Sequence, residues 1–392
     1  MRYDFDTIHN RKNTNSLKYD FAKERGKSDD LIPLWVADMD FRAPDEVITA
    51  LKEKAEHGIF GYSEPKADYF EALENWFSTR HGWKVDGRRF VQTCGVVFAI
   101  SALIRAITNV GDAVLICQPV YYPFAQTVID NNRKLIVSEL KNDNGYYTVD
   151  YADFERKIKE NKVKLFILCN PHNPVGRVWT KEELTRLGRI CLENGVFIIS
   201  DEIHCDFTYE ENKHTVFATL GRDFEESCAV CTAPTKTFNL AGLHLSNTYI
   251  YDDSLRRRFI KELAAQGYSQ SNIMGLIACQ TAYTYGADWL DELKIYLKHN
   301  LAFVREYLIE NIPRIKLVEP QGTYLVWLDC RGLGLTDNEL KHFIQDEAKL
   351  WTDDGYIFGA GGSGYERINI ACPRSILKSA LKNLKHATDK IQ

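Results

Sequence analysis

The sequence predicts an α/β fold in which a mostly parallel sheet, flanked by helices, forms a large domain beside a smaller α+β domain. Short apolar runs alternate with helical segments from Arg89 onward, and this alternation is typical of parallel strands joined by helical crossovers. The runs are apolar along their whole length, so both faces of the sheet are expected to be covered. A chain of 392 residues is also too long for one simple core.

The chain is expected to divide into three ranges. Residues 1–45 are predicted to form an N-terminal arm and part of the small domain, residues 46–285 the large domain, and residues 286–392 the rest of the small domain. Within the arm, residues 31–41 are apolar with acids interposed, which indicates an extended segment packed near a polar site. Pro44 and the acids that follow it are typical of the first turn of a helix.

Hydrophobic periodicity and the placement of glycine and proline predict the remaining elements in order. Strands are predicted at 90–93, 113–117, 135–140, 164–169, 196–200, 227–233, 324–328 and 367–371. Helices are predicted at 68–81, 96–107, 122–131, 151–160, 181–194, 254–264 and 274–310, the last broken near Gly286.

Net charge, hydrophobicity and cysteine content argue against several classes of protein. A formal net charge of -5 argues against a nucleic-acid surface, and no apolar run is long enough to span a membrane. The N-terminus lacks the apolar core of a signal peptide, so a cytoplasmic location is expected. Ten cysteines are scattered along the chain, and Cys228 and Cys231 form a C-x-x-C without a second pair. We interpret them as a buried reduced pair and predict no metal site.

The residues that follow each predicted strand carry the chemistry, because ligands of open parallel sheets bind beyond the carboxyl ends of the strands. These candidate groups are, in chain order, the backbone N–H groups of Gly95, Val96 and Val97, the ring of Tyr121, the amide of Asn173, the carboxylate of Asp201 and the amine of Lys236. Free N–H groups at a helix start suit a phosphate. A lysine whose pKa is lowered by burial is the residue that Schiff-base chemistry requires.

Each of these residues has an ordinary structural alternative. Asp201 could be a helix cap, Tyr121 a core aromatic and Asn173 a turn former, while Lys236 could be a solvated loop lysine. Their joint occurrence at successive strand ends favours the functional interpretation. Together they are the groups needed to hold a phosphorylated, aromatic pyridine aldehyde.

Longer motifs support that interpretation. They are residues 35–41 (WVADMDF), 60–63 (FGYS), 200–204 (SDEIH) and 236–242 (KTFNLAG). With them the chain resembles, over nearly its whole length, the fold-type I enzymes of pyridoxal 5'-phosphate in the class I/II aminotransferase superfamily. More narrowly, it is similar to the cystathionine β-lyase (C–S lyase) subfamily.

The resemblance implies a role for each group around the cofactor ring. Lys236 would form the covalent link to pyridoxal 5'-phosphate and later move the substrate α-proton. Asp201 would pair with the pyridine nitrogen so that the ring can accept electrons. Asn173 would donate to the ring oxygen and also contact the substrate, Tyr121 would stack on the ring, and His204 would bond the ring oxygen.

The resemblance also implies how phosphate and substrate are bound. Gly95, Val96 and Val97 would hold the phosphate through backbone N–H groups, with the hydroxyl of Thr235 assisting. Tyr62 would reach the phosphate of the neighbouring subunit and contact the substrate there, which implies an obligate homodimer with shared active sites. Arg367 would clamp the substrate carboxylate in bidentate fashion.

The chain departs from the wider aminotransferase pattern at three positions. His244 stands where an arginine commonly binds phosphate, His204 where a tyrosine commonly binds the ring oxygen, and Ala233 where a serine is usual. Phosphate binding is therefore expected to rely on Thr235, Tyr62 and the backbone. The two histidines favour the lyase branch.

The function implied is a C–S β-lyase acting on a small amino-acid thioether, such as cystathionine, cysteine or a cysteine S-conjugate, and releasing thiol, pyruvate and ammonia. An aminotransferase that uses the same cofactor is the main alternative. A third is a regulatory protein that binds the cofactor without turnover, because fold does not fix function. The complete set of Lys236, Asp201, Asn173 and Arg367 argues against this third hypothesis.

Overall fold

A computed structural model describes residues 2–209 and 212–391. Its strands are β1 Ile32–Pro33, β2 Phe90–Thr93, β3 Ala113–Gln118, β4 Lys134–Glu139, β5 Lys141–Asp143, β6 Tyr146–Thr148, β7 Leu165–Cys169, β8 Phe197–Asp201, β9 Cys228–Thr232, β10 Ser246–Ile250, β11 Lys316–Val318, β12 Leu325–Asp329, β13 Leu350–Trp351, β14 Asp353–Asp354 and β15 Tyr365–Asn369. Its α-helices are α1 Asp45–His57, α2 Ala67–His81, α3 Val96–Ile107, α4 Pro123–Asp130, α5 Tyr151–Asn161, α6 Lys181–Glu193, α7 Arg222–Glu226, α8 Pro234–Thr237, α9 Asp253–Ala265, α10 Ile273–Tyr285, α11 Ala287–Asn311, α12 Asp337–His342 and α13 Arg374–Thr388.

The central sheet has seven strands in the order β2-β10-β9-β8-β7-β3-β4. β10 is antiparallel to both of its neighbours, and the other pairings are parallel. The predicted mostly parallel sheet is therefore confirmed. Each parallel strand ends at the same edge, so the segments that follow β2, β3, β7, β8 and β9 converge there.

Both faces of this sheet are buried, as the continuous apolar runs require. Along β7, Leu165 and Ile167 face a cluster built with α3, α4 and α9. Phe166 and Leu168 point to the opposite face and join the larger core. This alternation along one strand places hydrophobic cores above and below the sheet.

A second sheet has four antiparallel strands in the order β11-β12-β15-β14. The N-terminal arm joins this part of the molecule, because β1 pairs in parallel with β13. β15 carries Arg367 and Asn369. The backbone N–H of Asn369 donates to the oxygen of Leu34 at 2.8 Å, so the arm lies next to the strand that bears the predicted substrate-binding arginine.

The predicted break in the long C-terminal helix is confirmed at Gly286, between α10 and α11. A Cβ atom at Gly286 would lie 2.4 Å from the ring of Phe238. Phe238 directly follows α8, the short helix that contains Lys236. Glycine is thus required where the two long helices meet the segment behind the lysine.

Two expectations from composition can be compared with the structure. Cys228 and Cys231 are buried in β9 and are free thiols, as predicted. Among the described residues, no helix combines the length and the apolar character needed to cross a bilayer.

α3 packs against one face of the central sheet, and its first turn lies at the carboxyl edge of that sheet. Leu103 on this helix is fully buried against the sheet. We expect Leu103→Ala to lower the free energy of unfolding by about 2–5 kcal/mol, because it removes buried apolar atoms and leaves a cavity. Urea unfolding followed by circular dichroism measures this change.

The matched control is Val110→Ala, at a position 72% exposed just beyond the same helix. It is expected to alter the free energy of unfolding by no more than about 0.5 kcal/mol. Equal effects of the two substitutions would contradict the assignment of Leu103 to the core.

Candidate active site

A cavity of about 370 Å³ lies at the carboxyl edge of the central sheet. Its walls are formed by Ala37, Cys94, Gly95, Val96, Val97, Phe98, Tyr121, Cys169, Asn173, Asp201, Ile203, His204, Thr235, Lys236, Ala241 and His244. The structure therefore brings together all of the site residues predicted from sequence except Tyr62 and Arg367.

Lys236 lies on α8, immediately beyond the end of β9. Its Nζ donates a hydrogen bond to the backbone oxygen of Ala37 in the N-terminal arm, at 2.7 Å. Burial lowers the pKa of Lys236 to about 8; the carboxylate of Asp38 opposes this shift and the charge of Arg367 adds to it. A useful fraction of this amine is thus neutral, and nucleophilic, near physiological pH.

Asp201 is the last residue of β8 and is almost completely buried. In the part of the chain that the structure describes, its carboxylate accepts one hydrogen bond, at Oδ1 from the N–H of Ile203 (3.1 Å). Burial raises the pKa of Asp201 to about 7. A buried carboxylate with so few donors is suited to a ligand that brings its own positive N–H group, as a protonated pyridine does.

Asn173 sits in the turn after β7 and is oriented by Arg367. Its Oδ1 accepts a hydrogen bond from Nη1 of Arg367 at 3.0 Å. Because a guanidinium can only donate, this contact fixes the amide so that Nδ2 remains as a donor. The backbone oxygen of Asn173 accepts the N–H of Tyr121 at 3.0 Å, which ties the amide to the neighbouring aromatic wall of the cavity.

His204 lies three residues after Asp201 and is 4% exposed. Burial, together with the charges of Lys236 and Arg367, holds the pKa of this ring well below its usual value, so the ring is neutral. Its Nδ1 is buried and finds no hydrogen-bond partner within residues 2–209 and 212–391. A buried, unpaired ring nitrogen in the cavity wall is consistent with a bond to a ligand oxygen.

The start of α3 forms the opposite wall. Gly95 is its N-cap, and Val96 and Val97 belong to its first turn, where backbone N–H groups have no partner within the helix. The hydroxyl-bearing Thr235 lines the same cavity. This wall can hold a phosphate through N–H and O–H donors, as the sequence predicts.

Arg367, on β15, stands behind Asn173 and is 3% exposed. Besides the bond to Asn173, its Nη2 donates to the backbone oxygen of Trp35 at 3.0 Å and forms an ion pair with the carboxylate of Asp353. The partnership with Asp353 was not expected from sequence.

Tyr62 is 94% exposed and does not contact the cavity that contains Lys236. It lines an adjoining surface cavity of about 790 Å³ together with Cys94 and His244. Within one chain its side chain therefore lines the adjoining cavity and not the one that contains Lys236. Its role in a neighbouring subunit stays a prediction.

Sequence reasoning missed a buried network behind Lys236. Asp206 accepts hydrogen bonds from the hydroxyl of Thr237 (2.7 Å), Nε1 of Trp76 (3.2 Å) and Nε2 of His81 (2.9 Å). The ligand atoms of His81, Cys205 and Asp206 lie within 4.8 Å of one another. Because the carboxylate oxygens already have these donors, we interpret the group as an anchor for α8. The only signal in the sequence is the position of Asp206 shortly after Asp201.

Comparison with known proteins finds sequence and structural similarity over nearly the whole chain. The family model described as "Aminotransferase class I and II" matches residues 29–384. The cystathionine β-lyase PatB of Bacillus subtilis is 41% identical, over 98% of this chain and 99% of its own. Cystalysin from Treponema denticola, solved with pyridoxal 5'-phosphate, is 37% identical with a TM-score of 0.96 and full coverage of both chains.

A third similar structure is the C–S lyase from Staphylococcus hominis in complex with the inhibitor L-cycloserine. It is 33% identical to this chain with a TM-score of 0.92, and all of both chains is covered. The similarity thus extends through the arm, the central sheet and the C-terminal strands.

The lowered pKa of Lys236 can be measured on cofactor-free protein. Competitive acetylation across a pH series, read by peptide mass spectrometry, is expected to show half-maximal reactivity near pH 8, because the neutral amine is the reacting form and its pKa is about 8. Lys181, an exposed lysine at the start of α6, serves as the internal control. A midpoint for Lys236 above about pH 10 would mean that burial does not perturb it.

Proposed function

Because the chain belongs to the class I and II aminotransferase family, and within it to the C–S lyase subfamily, we propose that it is a pyridoxal 5'-phosphate-dependent C–S β-lyase. The substrate is an amino-acid thioether, such as cystathionine or a cysteine S-conjugate. The observation that carries the proposal is the single cavity in which a lysine of lowered pKa, a buried carboxylate and an oriented amide meet.

The walls of the cavity fit the cofactor group by group. The N–H groups at 95–97 and the hydroxyl of Thr235 would bind its phosphate. The carboxylate of Asp201 would hold a proton on the ring nitrogen, and Nδ2 of Asn173 and the ring of His204 would bind the ring oxygen. Tyr121 would face the ring. Among these groups, Nδ1 of His204 is buried and has no hydrogen-bond partner among the described residues, so it is open to a ligand.

When bound, pyridoxal 5'-phosphate supplies an aldehyde that captures the substrate amine and a ring that accepts electrons from the α-carbon. The chain supplies the proton chemistry. The neutral Nζ of Lys236 takes the α-proton, and the β-carbon–sulfur bond then breaks with its electron pair leaving on the thiolate. The released 2-aminoacrylate reacts with water to give pyruvate and ammonia.

Two groups orient the substrate. Arg367 binds the α-carboxylate, and the amide of Asn173 lies beside it because the two side chains are hydrogen-bonded. In the cofactor-free protein the backbone oxygen of Ala37 keeps Nζ of Lys236 at the cavity wall. Orientation of this kind lowers the entropic part of the barrier.

We further propose a homodimer in which Tyr62 of the partner subunit completes each site. The exposure of Tyr62 and of neighbouring Phe60 (58%) supports this assembly, because exposed aromatic side chains are typical of interface anchors. The ten free thiols support a reducing, cytoplasmic setting.

The proposed reaction is tested with purified holoenzyme and L-cystathionine. Thiol, pyruvate and ammonia are expected without any added 2-oxo acid, and Lys236→Ala is expected to abolish nearly all of this activity and the visible absorbance of the linked cofactor. If thiol remains absent while an added 2-oxo acid is steadily converted to its amino acid, the protein is an aminotransferase instead.

The shared site is tested by mixing subunits. Lys236→Ala and Tyr62→Ala homodimers are each expected to be nearly inactive. Their heterodimer regains one native site, formed by Lys236 of one subunit and Tyr62 of the other, so activity should recover after subunit exchange. Sedimentation that shows an active monomer, or exchange without recovery, would exclude the shared site.

A further inference from the structure

Asp353 and Arg367 lie opposite each other on the neighbouring strands β14 and β15. The antiparallel register of β14 and β15 pairs these two residues, so their side chains project from the same face. The carboxylate of Asp353 forms an ion pair with Nη2 of Arg367. Both side chains are buried, with 9% and 3% of their surface exposed.

The donors of Arg367 are only partly used. The two N–H groups of Nη2 face the oxygen of Trp35 and the carboxylate of Asp353, and Nη1 donates to Asn173. Nε is buried and has no hydrogen-bond partner among the residues that the structure describes. The ring of Phe358 lies beneath the guanidinium at 4.9 Å. A buried N–H left unpaired costs free energy, which indicates that this edge is kept for a ligand oxygen.

The charge of Arg367 is already balanced before any ligand binds. A ligand carboxylate at the Nε edge would therefore be the second anion on one guanidinium, and the two carboxylates would repel each other. Without Asp353, a buried guanidinium would lack a counter-ion and would hold any carboxylate strongly.

We propose that Asp353 is the resident counter-ion of Arg367 and limits the affinity of this arginine for ligand carboxylates. The proposal rests on the role given to Arg367 in the proposed function. The released 2-aminoacrylate, and the pyruvate formed from it, carry the same carboxylate group as the substrate. If Arg367 bound this carboxylate tightly, it would hold the product as well as the substrate and would slow product release. Asp353 lowers the affinity of Arg367 for the carboxylate of both.

The test compares Asp353→Asn with the parent holoenzyme. Asparagine keeps the shape and can still accept from Nη2, so only the charge is removed. Titration calorimetry with propionate, which has a carboxylate but no amine, is expected to show a Kd lower by about tenfold or more. The KM for S-methyl-L-cysteine and the inhibition constant of pyruvate should fall with it, while kcat does not rise.

The matched control is Asp354→Asn. Asp354 is the adjacent acid, and its carboxylate lies 3.8 Å from Lys341 and accepts a hydrogen bond from the hydroxyl of Tyr356, away from Arg367. It should leave the Kd for propionate unchanged. Asp353→Ser provides a second variant without the charge, and thermal unfolding reports whether each variant is folded.

An unchanged or higher Kd in folded Asp353→Asn and Asp353→Ser would overturn the proposal and leave Asp353 a structural partner only. Arg367→Gln separates this outcome from a failure of the assigned role. If Arg367→Gln also leaves the Kd for propionate unchanged, Arg367 is not the carboxylate site and the counter-ion proposal falls with it. The lyase reaction itself is tested separately, by the release of thiol and pyruvate from the parent enzyme.

Discussion

The buried positive charge of Arg367 is the constraint on which the rest of the site depends. A guanidinium cannot remain in the interior without acceptors, because removal of a charge from water is costly unless hydrogen bonds replace the hydration. Its acceptors come from separate stretches of chain: Trp35 in the arm, Asn173 after β7 and Asp353 on β14. Satisfying one cation therefore brings the arm, the central sheet and the second sheet to one point.

β15, the strand that carries Arg367, also holds the N-terminal arm through Asn369. Nδ2 of Asn369 donates to the backbone oxygens of Val36 and Asp38, at 2.7 and 2.6 Å. Ala37 lies between them, and its oxygen is then free to receive Nζ of Lys236 and the hydroxyl of Tyr324. The position of the lysine amine thus depends on an asparagine far away in the sequence, through a short piece of backbone held at both sides.

Much of the fold and of the cavity could be predicted because both follow local patterns. Continuous apolar runs identify the parallel strands, and the shared direction of those strands places Asp201, Asn173 and Lys236 at one edge before any contact is known. β10 was missed because its residues Ser246, Asn247 and Thr248 are polar. They are nevertheless buried, and Asn247 accepts a hydrogen bond from the hydroxyl of Tyr69 at 2.6 Å.

Other parts could not be predicted, because they depend on pairing between distant segments. The register of β14 against β15 decides that Asp353 and not Asp354 faces Arg367, and a shift by one residue would exchange them. The acceptor for Lys236 is a backbone oxygen, which leaves no trace in residue type. The place of Tyr62 depends on a second subunit, which a single sequence does not describe.

The contacts of the arm also impose an order on biosynthesis. The arm is synthesised before the residues that hold it, at 236–239 and 365–369, which belong to the second half of the chain. Chains fold progressively during synthesis, so the central sheet can assemble while the arm still waits for its partners. The wall that contains Ala37 closes only after β15 has emerged. From its own synthesis until β15 emerges, Lys236 therefore lies in a nascent chain whose pocket still lacks the wall that contains Ala37.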